Sequence, residues 1–463
     1  MIVGGGAAAA FLLHQLSSGG ADGRPVIVVD PAERLGPGVA YGTADPVHLM
    51  NVCRIRLSVD GDGGEDLLGW LGDRGVTANA DTYLRRSMYG DYLADVAARY
   101  GEQVGVGHRR ARVVGLRRTD DDGTGIERGG ARWLVSLDDG TDIEAGDVVL
   151  ATGFPGRPAL PCAVPAHPDP RVVVDPWAPG ALDRPDARRV LIVGTGLTMV
   201  DVALSLGARN PDVELVAASR RGLVPRTSRP GLPTPIAPER LPVPGIGGRA
   251  LVRHVVKLGR EEVDDWQAVI DSVRPRANDL WRALPYGEQS RMLRRWFPWW
   301  NVHRHRTAPA VGAGLAATMA RGQLRIVRSR VDAVSNDRAG GRLSVRFADA
   351  SLDDLDVDLV VNAAGPSEDL SSSGNPVLQS LLDDGHVVIG PHRLGLAVDR
   401  AGHALGREVD PTPGLWIIGA LRRGTEWETT AVPEIRIQAG VIADRLLHGD
   451  SDAEDTPVEV GRC

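Results

Sequence analysis

Twice along the chain a short apolar run gives way to glycines and then to a stretch with apolar residues on one side, the pattern of a buried strand turning into a helix. The first run is Met1-Ile2-Val3 followed by Gly4-Gly5-Gly6-Ala7-Ala8-Ala9. The second, 190 positions later, is Val190-Leu191-Ile192-Val193 followed by Gly194-Thr195-Gly196-Leu197-Thr198-Met199. Glycine at the first two fixed positions permits a tight turn and lets backbone N–H groups approach a pyrophosphate, whose charge then sits at the positive end of the helix. The contacts expected are Gly4, Gly6 and Ala9 in the first turn and Gly194 and Gly196 in the second. Each such turn binds one dinucleotide. Two in one chain imply two dinucleotides that react with each other, as when a nicotinamide reduces a flavin. Two irregularities stand out: only three residues precede Gly4, and Met199 occupies a place where a small residue normally lets helix and strand pack closely.

The strand after each turn separates the two sites. Val26-Ile27-Val28-Val29-Asp30 is rich in β-branched residues and ends in an acid 26 residues beyond Gly4, where a carboxylate accepts from ribose hydroxyls. Asp30 therefore favours an unphosphorylated adenosine ribose, that of FAD or NAD. Val213-Glu214-Leu215-Val216-Ala217 ends instead near Ser219-Arg220-Arg221, with no acid. Two guanidiniums at that point suit a ribose 2′-phosphate, so NADPH is expected over NADH.

The stretch between the turns alternates like a short antiparallel meander: Ala111-Arg112-Val113-Val114, then Arg132 to Leu137, then Thr141-Asp142-Ile143. Val114 is placed among the cofactor contacts. Asp147 to Gly153 reads as a buried strand whose Thr152-Gly153 ending brings the chain out beside the first dinucleotide. A proline-rich crossover from Pro155 to Pro185 follows. From Ala250 to Gln323 the apolar spacing is near 3.6, which predicts a helical insertion. The later runs Leu343 to Phe347 and Leu359 to Ala364, before Gly365-Pro366, are read as a return to the first domain. Leu415 to Ile418 forms a last buried strand ending in Gly419-Ala420. A helix begins near Thr430 with Pro433 and Glu434 in its first turn, close to Val432. Its N-terminus would stabilise negative charge on a reduced flavin ring.

The domains that follow are 1–155 and 331–449 for the first dinucleotide, 186–330 for the second with its insertion, and a disordered acidic tail from Asp450 to Cys463. The fold class expected is α/β, with two Rossmann-like domains of the glutathione-reductase-like FAD/NAD(P)-binding type and a helical insertion.

Composition narrows the function classes. Residue type and length fit a multi-domain cytoplasmic enzyme, and the apolar start lacks the basic flank of a signal peptide. No run is long enough to span a membrane, and a net charge of −7 gives no basic footprint for nucleic acid. The three cysteines, Cys53, Cys162 and Cys463, contain no closely spaced pair, which excludes a disulfide reductase. Cys53 alone is either a reactive thiol near the flavin or a cysteine without a role. The segment Arg294 to Arg306 is dense in aromatics and cations. It reads either as a Trp-anchored core with a basic flank, or as a lid whose Arg304 and Arg306 hold a phosphate or a substrate carboxylate. No metal site is expected at His303 and His305, since no Cys, Asp or Glu stands beside them in sequence.

Three segments carry a resemblance to a known family: Ala40-Tyr41-Gly42-Thr43-Ala44-Asp45-Pro46 with His48-Leu49-Met50-Asn51-Val52, then Val302 to Arg306, then Arg423 to Arg436. With the order of the parts from Ile2 to about Leu447, the chain resembles glutathione-reductase-like flavoproteins. It is more closely similar to bacterial FAD/NAD(P)-binding proteins, whose relatives include class B flavin monooxygenases that N-hydroxylate amino acids. Cys53-Arg54-Ile55 departs from the family, as does Ala420, where many members place an aspartate. The resemblance implies FAD as cofactor. The function expected is an NADPH-oxidising monooxygenase acting through a flavin C4a-hydroperoxide on a small polar substrate, with an amino group as one option. Asn51 and Tyr41 are the donors picked to hold that adduct; a loop cap and a core aromatic are the plain alternatives. Rival functions are a flavin dehydrogenase or oxidase and a non-catalytic dinucleotide-binding protein. Substrate identity and oligomeric state are not set by the sequence.

Overall fold

The computed structural model describes residues 1–20, 23–119, 132–154, 159–165, 169–262, 265–336, 341–365, 370 and 374–449. The crossover expected from Pro155 to Pro185 lies partly outside these residues, as does Pro366, and the tail from Asp450 to Cys463 lies wholly outside. In the first unit β1 (Ile2–Val3) turns through the glycines into α1 (Ala7–Ser18) and returns as the parallel strand β2 (Ile27–Val29). Three helices follow, α2 (Gly38–Tyr41), α3 (Glu65–Gly72) and α4 (Arg86–Val104). Gly105, at φ 72°, ends α4 in the left-handed conformation that glycine takes without strain. The edge strand β3 (Gly107–Arg109) comes next, then a meander of β4 (Val113–Arg118), β5 (Trp133–Leu137) and β6 (Asp142–Ala145), then β7 (Val148–Leu150) beside β1.

Strand alternation explains the layers. Ile2 and Val28 face α1, α3 and α4, while Val3, Val29 and Leu150 face the meander residues Leu116, Trp133 and Val135. Helix α1 is apolar over Ala9, Ala10, Phe11, Leu12 and Leu13, all buried, because neighbouring helices cover it on the side away from the sheet.

The second unit repeats this plan. It contains β8 (Val172–Val173), β9 (Arg189–Val193), α5 (Leu197–Arg209) and β10 (Glu214–Ser219). The insertion follows as α6 (Gly248–Glu261), α7 (Trp266–Val273), α8 (Ala277–Arg282), α9 (Tyr286–Arg295) and α10 (Phe297–Arg304), before α11 (Pro309–Ala320) returns to the sheet. Then come β11 (Leu324–Arg328), a meander of β12 (Val331–Asn336), β13 (Leu343–Phe347) and β14 (Leu355–Val357), and β15 (Leu359–Asn362). Its sheet runs β11-β10-β9-β15-β8. Val190, Ile192 and Val361 pack on α5 and α11, and Leu191, Val193 and Val360 pack on the meander.

Only after Gly365 does the chain rejoin the first unit, through α12 (Pro376–Asp383), β16 (His403–Leu405), β17 (Pro411–Ile417) and α13 (Val432–His448). The first sheet then reads β16-β17-β7-β1-β2-β3. This corrects the domain division expected from sequence. Residues 331–365 belong to the second unit, since β15 pairs in parallel with β9, and the second unit also takes β8 from the crossover. An antiparallel meander followed by a strand and a glycine is the same local signal in either unit, and only the long-range pairing tells them apart. The α/β class, the two dinucleotide-type units and the helical insertion are as expected.

Candidate functional site

The first glycine turn is shaped for an anion. Gly4 has φ +103°, and a Cβ there would stand 2.6 Å from the carbonyl oxygen of Ala151, so only glycine fits beneath the exit of β7. Thr152 and Gly153 are exposed just beyond that carbonyl, where the sequence placed them. A Cβ on Gly6 would meet nothing nearer than Gly38 Cα at 3.7 Å, which leaves open space above the start of α1. No side chain caps α1 and no acid lies in its first turn, so the positive end of the helix is left for a ligand. Ala9 is fully buried against the sheet, the close helix–strand packing that the third fingerprint position requires.

Asp30 ends β2 as expected and is fixed by backbone donors: Gly5 N–H donates to Oδ2 at 2.7 Å and Ala32 N–H to Oδ1 at 2.8 Å. A carboxylate has about four acceptor sites, so ribose hydroxyls still find lone pairs there. The loop Gly36-Pro37-Gly38 forms the facing wall, with Gly36 N–H donating to Gly5 O at 2.7 Å. The sequence reading missed this wall; two glycines flanking a proline were its signal.

The second turn copies the first. Gly194 has φ +114°, and a Cβ there would collide with the carbonyl oxygen of Ala363, while Gly196 has nothing within 4 Å of its Cβ position. Helix α5 likewise has neither a capping side chain nor a first-turn acid. Met199 is fully buried among Val190, Ile192, Val200 and Ala203, so the larger side chain is absorbed in the core under the helix. The arginine pair expected to grip a phosphate is divided. Arg220 is exposed at the end of β10, but Arg221 Nη2 donates to the carbonyl of Arg294 at 2.8 Å and braces the insertion.

The two units are clamped by the segment that carries part of the resemblance. His48 Nε2 meets Ser205 Oγ at 2.9 Å, Ser205 Oγ donates to Asp45 Oδ2 at 2.8 Å, and Arg209 donates to the same oxygen at 2.7 Å. Arg86 pairs with the buried Asp201 at 2.7 Å. Tyr41 stands edge-on to Tyr89 with ring centroids 4.9 Å apart, and burial pushes its phenol up to about 12. It is half-buried against the core, and its phenol stays protonated, so the hydroxyl can still donate. Asn51 is half-buried, and its amide makes no hydrogen bond among the described residues, so it remains free to donate. Val114 lies at a bulge in β4 with its side chain 41 % exposed. Cys53 is buried, and burial raises its thiol, which makes it a poor nucleophile.

Past β17, Gly419 has φ +80° and open space at its Cβ position, and its N–H donates to Gln438 Oε1 at 2.8 Å. Ala420 is buried beside it, and Val432 starts α13, which has no capping side chain. Into this region the insertion sends three arginines, each met by a glutamate of the segment 426–434. Arg274 binds Glu434 through two nitrogens at 2.6 and 2.5 Å, Arg282 meets Glu426 at 2.8 Å, and Arg304 stands 3.1 Å from Glu428. The segments around Arg304 and Glu428 do come together, as the sequence suggested, but largely to hold one another.

The free charges expected on Arg304 and Arg306 are therefore corrected. Arg306 Nη2 is bound by both oxygens of Asp271 at 2.9 Å. Arg304 is buried opposite Glu428, though its Nε and Nη2 lack a hydrogen-bond acceptor. Beside them burial, followed by repulsion from Arg304, Arg423 and Arg274, holds His305 well below the usual imidazole range, so its ring is neutral. None of these partners was legible locally, since Arg274, Arg282 and Arg304 stand 124 to 160 positions before the glutamates that receive them.

Residues 1–155 match the family model described as FAD-NAD(P)-binding. No curated protein sequence compared with the chain matches it. Among solved structures, the chain is similar to the ornithine N-hydroxylase of Kutzneria sp. 744, recorded with reduced FAD, NADP+ and L-ornithine. The TM-score is 0.67 at 17% identity, over 96% of this chain and 97% of that one. It is similar to the L-lysine 6-monooxygenase of Pseudomonas syringae, with a TM-score of 0.66 at 16% identity over 97% of this chain and 99% of that one. The thioredoxin reductase of T. acidophilum gives 0.52 at 14% identity over 96% of each. At such identities the likeness establishes the fold: two dinucleotide-binding units joined as in these flavoproteins. No helix among the described residues is long and apolar enough to cross a membrane.

Proposed function

We propose that the protein is an FAD-dependent, NADPH-oxidising monooxygenase. The observation that carries this reading is the pair of open glycine cradles at Gly6 and Gly196, each at an uncapped helix N-terminus, with a carboxylate after one strand and a free guanidinium after the other. The fold shared with the ornithine and lysine hydroxylases supports it. FAD, when bound, would accept hydride from NADPH and activate O₂ for transfer to a substrate, as flavins do.

The remaining work falls to the chain. Gly4 to Gly6 and the α1 N-terminus hold one pyrophosphate, and Asp30 accepts from the ribose beside it. Gly194, Gly196 and α5 hold the other, with Arg220 facing the 2′-phosphate. The uncapped end of α13 favours negative charge placed before Val432. Asn51 offers a free amide donor, and the neutral His305 adds one donor and one acceptor nitrogen. No nucleophile or general base of the chain is called upon.

The test is anaerobic reduction of the FAD-loaded protein followed by stopped-flow absorbance. Reduction should prefer NADPH to NADH, and Arg220→Ala should erase the preference by about 1–3 kcal/mol, the worth of a charged hydrogen bond, while Arg221→Ala changes it less. Failure of both nicotinamides to reduce the flavin would sink this reading in favour of a dehydrogenase or oxidase that takes hydride from substrate. Arrival of O₂ should then oxidise the flavin with oxygen appearing in product.

A further inference from the structure

Six of the chain's ten tryptophans surround one hollow in the insertion. The cavity, about 650 Å³ in volume, opens between α6, α7, α9 and α10, and Trp427 of the loop leading into α13 closes one wall. Such a volume lies within the range of small-molecule pockets, about 300–1,000 Å³. The apolar side chains that line a hollow of this size gain dispersion contacts when a molecule fills it.

The lining says what kind. Its body is tryptophan, leucine and valine, which suits flat or branched hydrocarbon and offers few partners to a polar molecule. No carboxylate lines it, and its charged members are Arg226 and Arg260, both exposed and without a side-chain partner among the described residues. A primary ammonium ion entering here would shed hydration and find tryptophan faces but no carboxylate counter-ion, with two guanidiniums to repel it. A carboxylate would meet two guanidiniums suited to it.

We infer that this cavity binds a flat, drug-sized aromatic acid, with its rings among the tryptophans and its carboxylate toward Arg226 and Arg260. None of the lining residues belongs to either glycine cradle, and the inference does not rest on the flavin reading. It departs from the small polar substrate that the sequence suggested.

The test uses the full-length protein with 2-naphthoate and, as the oppositely charged analogue, 2-naphthylmethylamine, read by tryptophan fluorescence and calorimetry. Naphthoate should bind saturably and the amine at least about tenfold more weakly. Gly259 lines the cavity on α6, and a Cβ there has nothing within 4 Å, so Gly259→Leu places its side chain in the hollow while improving helix propensity. It should weaken naphthoate binding by about tenfold or more at an unchanged melting temperature. The double variant Arg226→Ala with Arg260→Ala should remove the preference for the acid. Wild-type protein that takes up neither probe, that binds both equally, or whose binding survives Gly259→Leu overturns the proposal. A dimer dissociated by Gly259→Leu, without naphthoate uptake, would assign the hollow to a second copy of the chain and overturn it too.

Discussion

In the first unit Gly4 is pressed beneath the carbonyl of Ala151, and in the second Gly194 is pressed beneath the carbonyl of Ala363. Both units turn from strand to helix at that point, leave the next glycine position open, and close with a three-stranded meander before the strand that supplies the carbonyl. They part company at the end of the following strand. There the first unit has Asp30, anchored by two backbone N–H groups, and the second has Arg220 facing solvent. The backbone device that receives a pyrophosphate is thus constant, while one side chain beyond it selects the ribose. The units also differ in what they carry: α13 completes the first, and the insertion on the second reaches across to the start of α13 through Arg274 and Glu434.

That crossing is where the comparison can be broken most severely. Arg274→Ala should strand the largely enclosed Glu434 carboxylate, 12% exposed, and cost about 3–5 kcal/mol in denaturant unfolding. Replacing both partners by apolar residues of similar size should be far milder, and equal losses in the two cases would show that the pair does not couple the units. Next in size is the packing beneath the two helices. Met199→Ala should cost about 2–5 kcal/mol by opening a cavity below α5. Ala9→Met in the first unit should instead overpack by about 1–3 kcal/mol. If Met199→Ala is neutral, the methionine is a tolerated irregularity, not the filler of that core.

Smallest is a pH effect centred on His305. Its folded pKa lies well below the unfolded value of 6.5, so the unfolded chain binds more protons, and stability falls as pH drops below about 6.5. Arg304, Arg423 and Arg274 oppose the imidazolium and Glu434 favours it. Burial depresses His14, His48 and His392 in the same direction. His305→Gln should therefore flatten, without abolishing, the acid-side loss seen in melting temperatures from pH 7.5 downward. An unchanged slope would transfer the effect to the other three histidines.

How much was legible follows from how local each feature is. The glycine turns, Asp30, the first meander and the start of α13 are written in runs of a few residues, and the structure has them where the pattern put them. Residues 331–365 were misplaced because a meander and a glycine-ended strand look alike in either unit, and only the pairing of β15 with β9 decides between them. Tyr41 read either as a donor or as a core aromatic, and its packing on Tyr89, 48 positions away on α4, was not visible locally. Arg304 and Arg306 read as free cations because Glu428 and Asp271 meet them only in the folded chain. The tryptophan cavity was half visible: a cluster of aromatics could be read, but not that Trp427 would join it from the other unit.

The central claim, two cradles for two different dinucleotides, is tested most directly by cofactor content and flavin reduction in a pair of matched variants. After reconstitution with FAD and gel filtration, wild type should be yellow and reducible by NADPH. Gly6→Leu should be colourless yet folded, because its side chain takes the pyrophosphate's place above α1. Gly196→Leu should stay yellow but resist reduction by NADPH. Wild-type protein that retains no FAD, or a Gly6→Leu variant that retains it as well as wild type, would contradict the account.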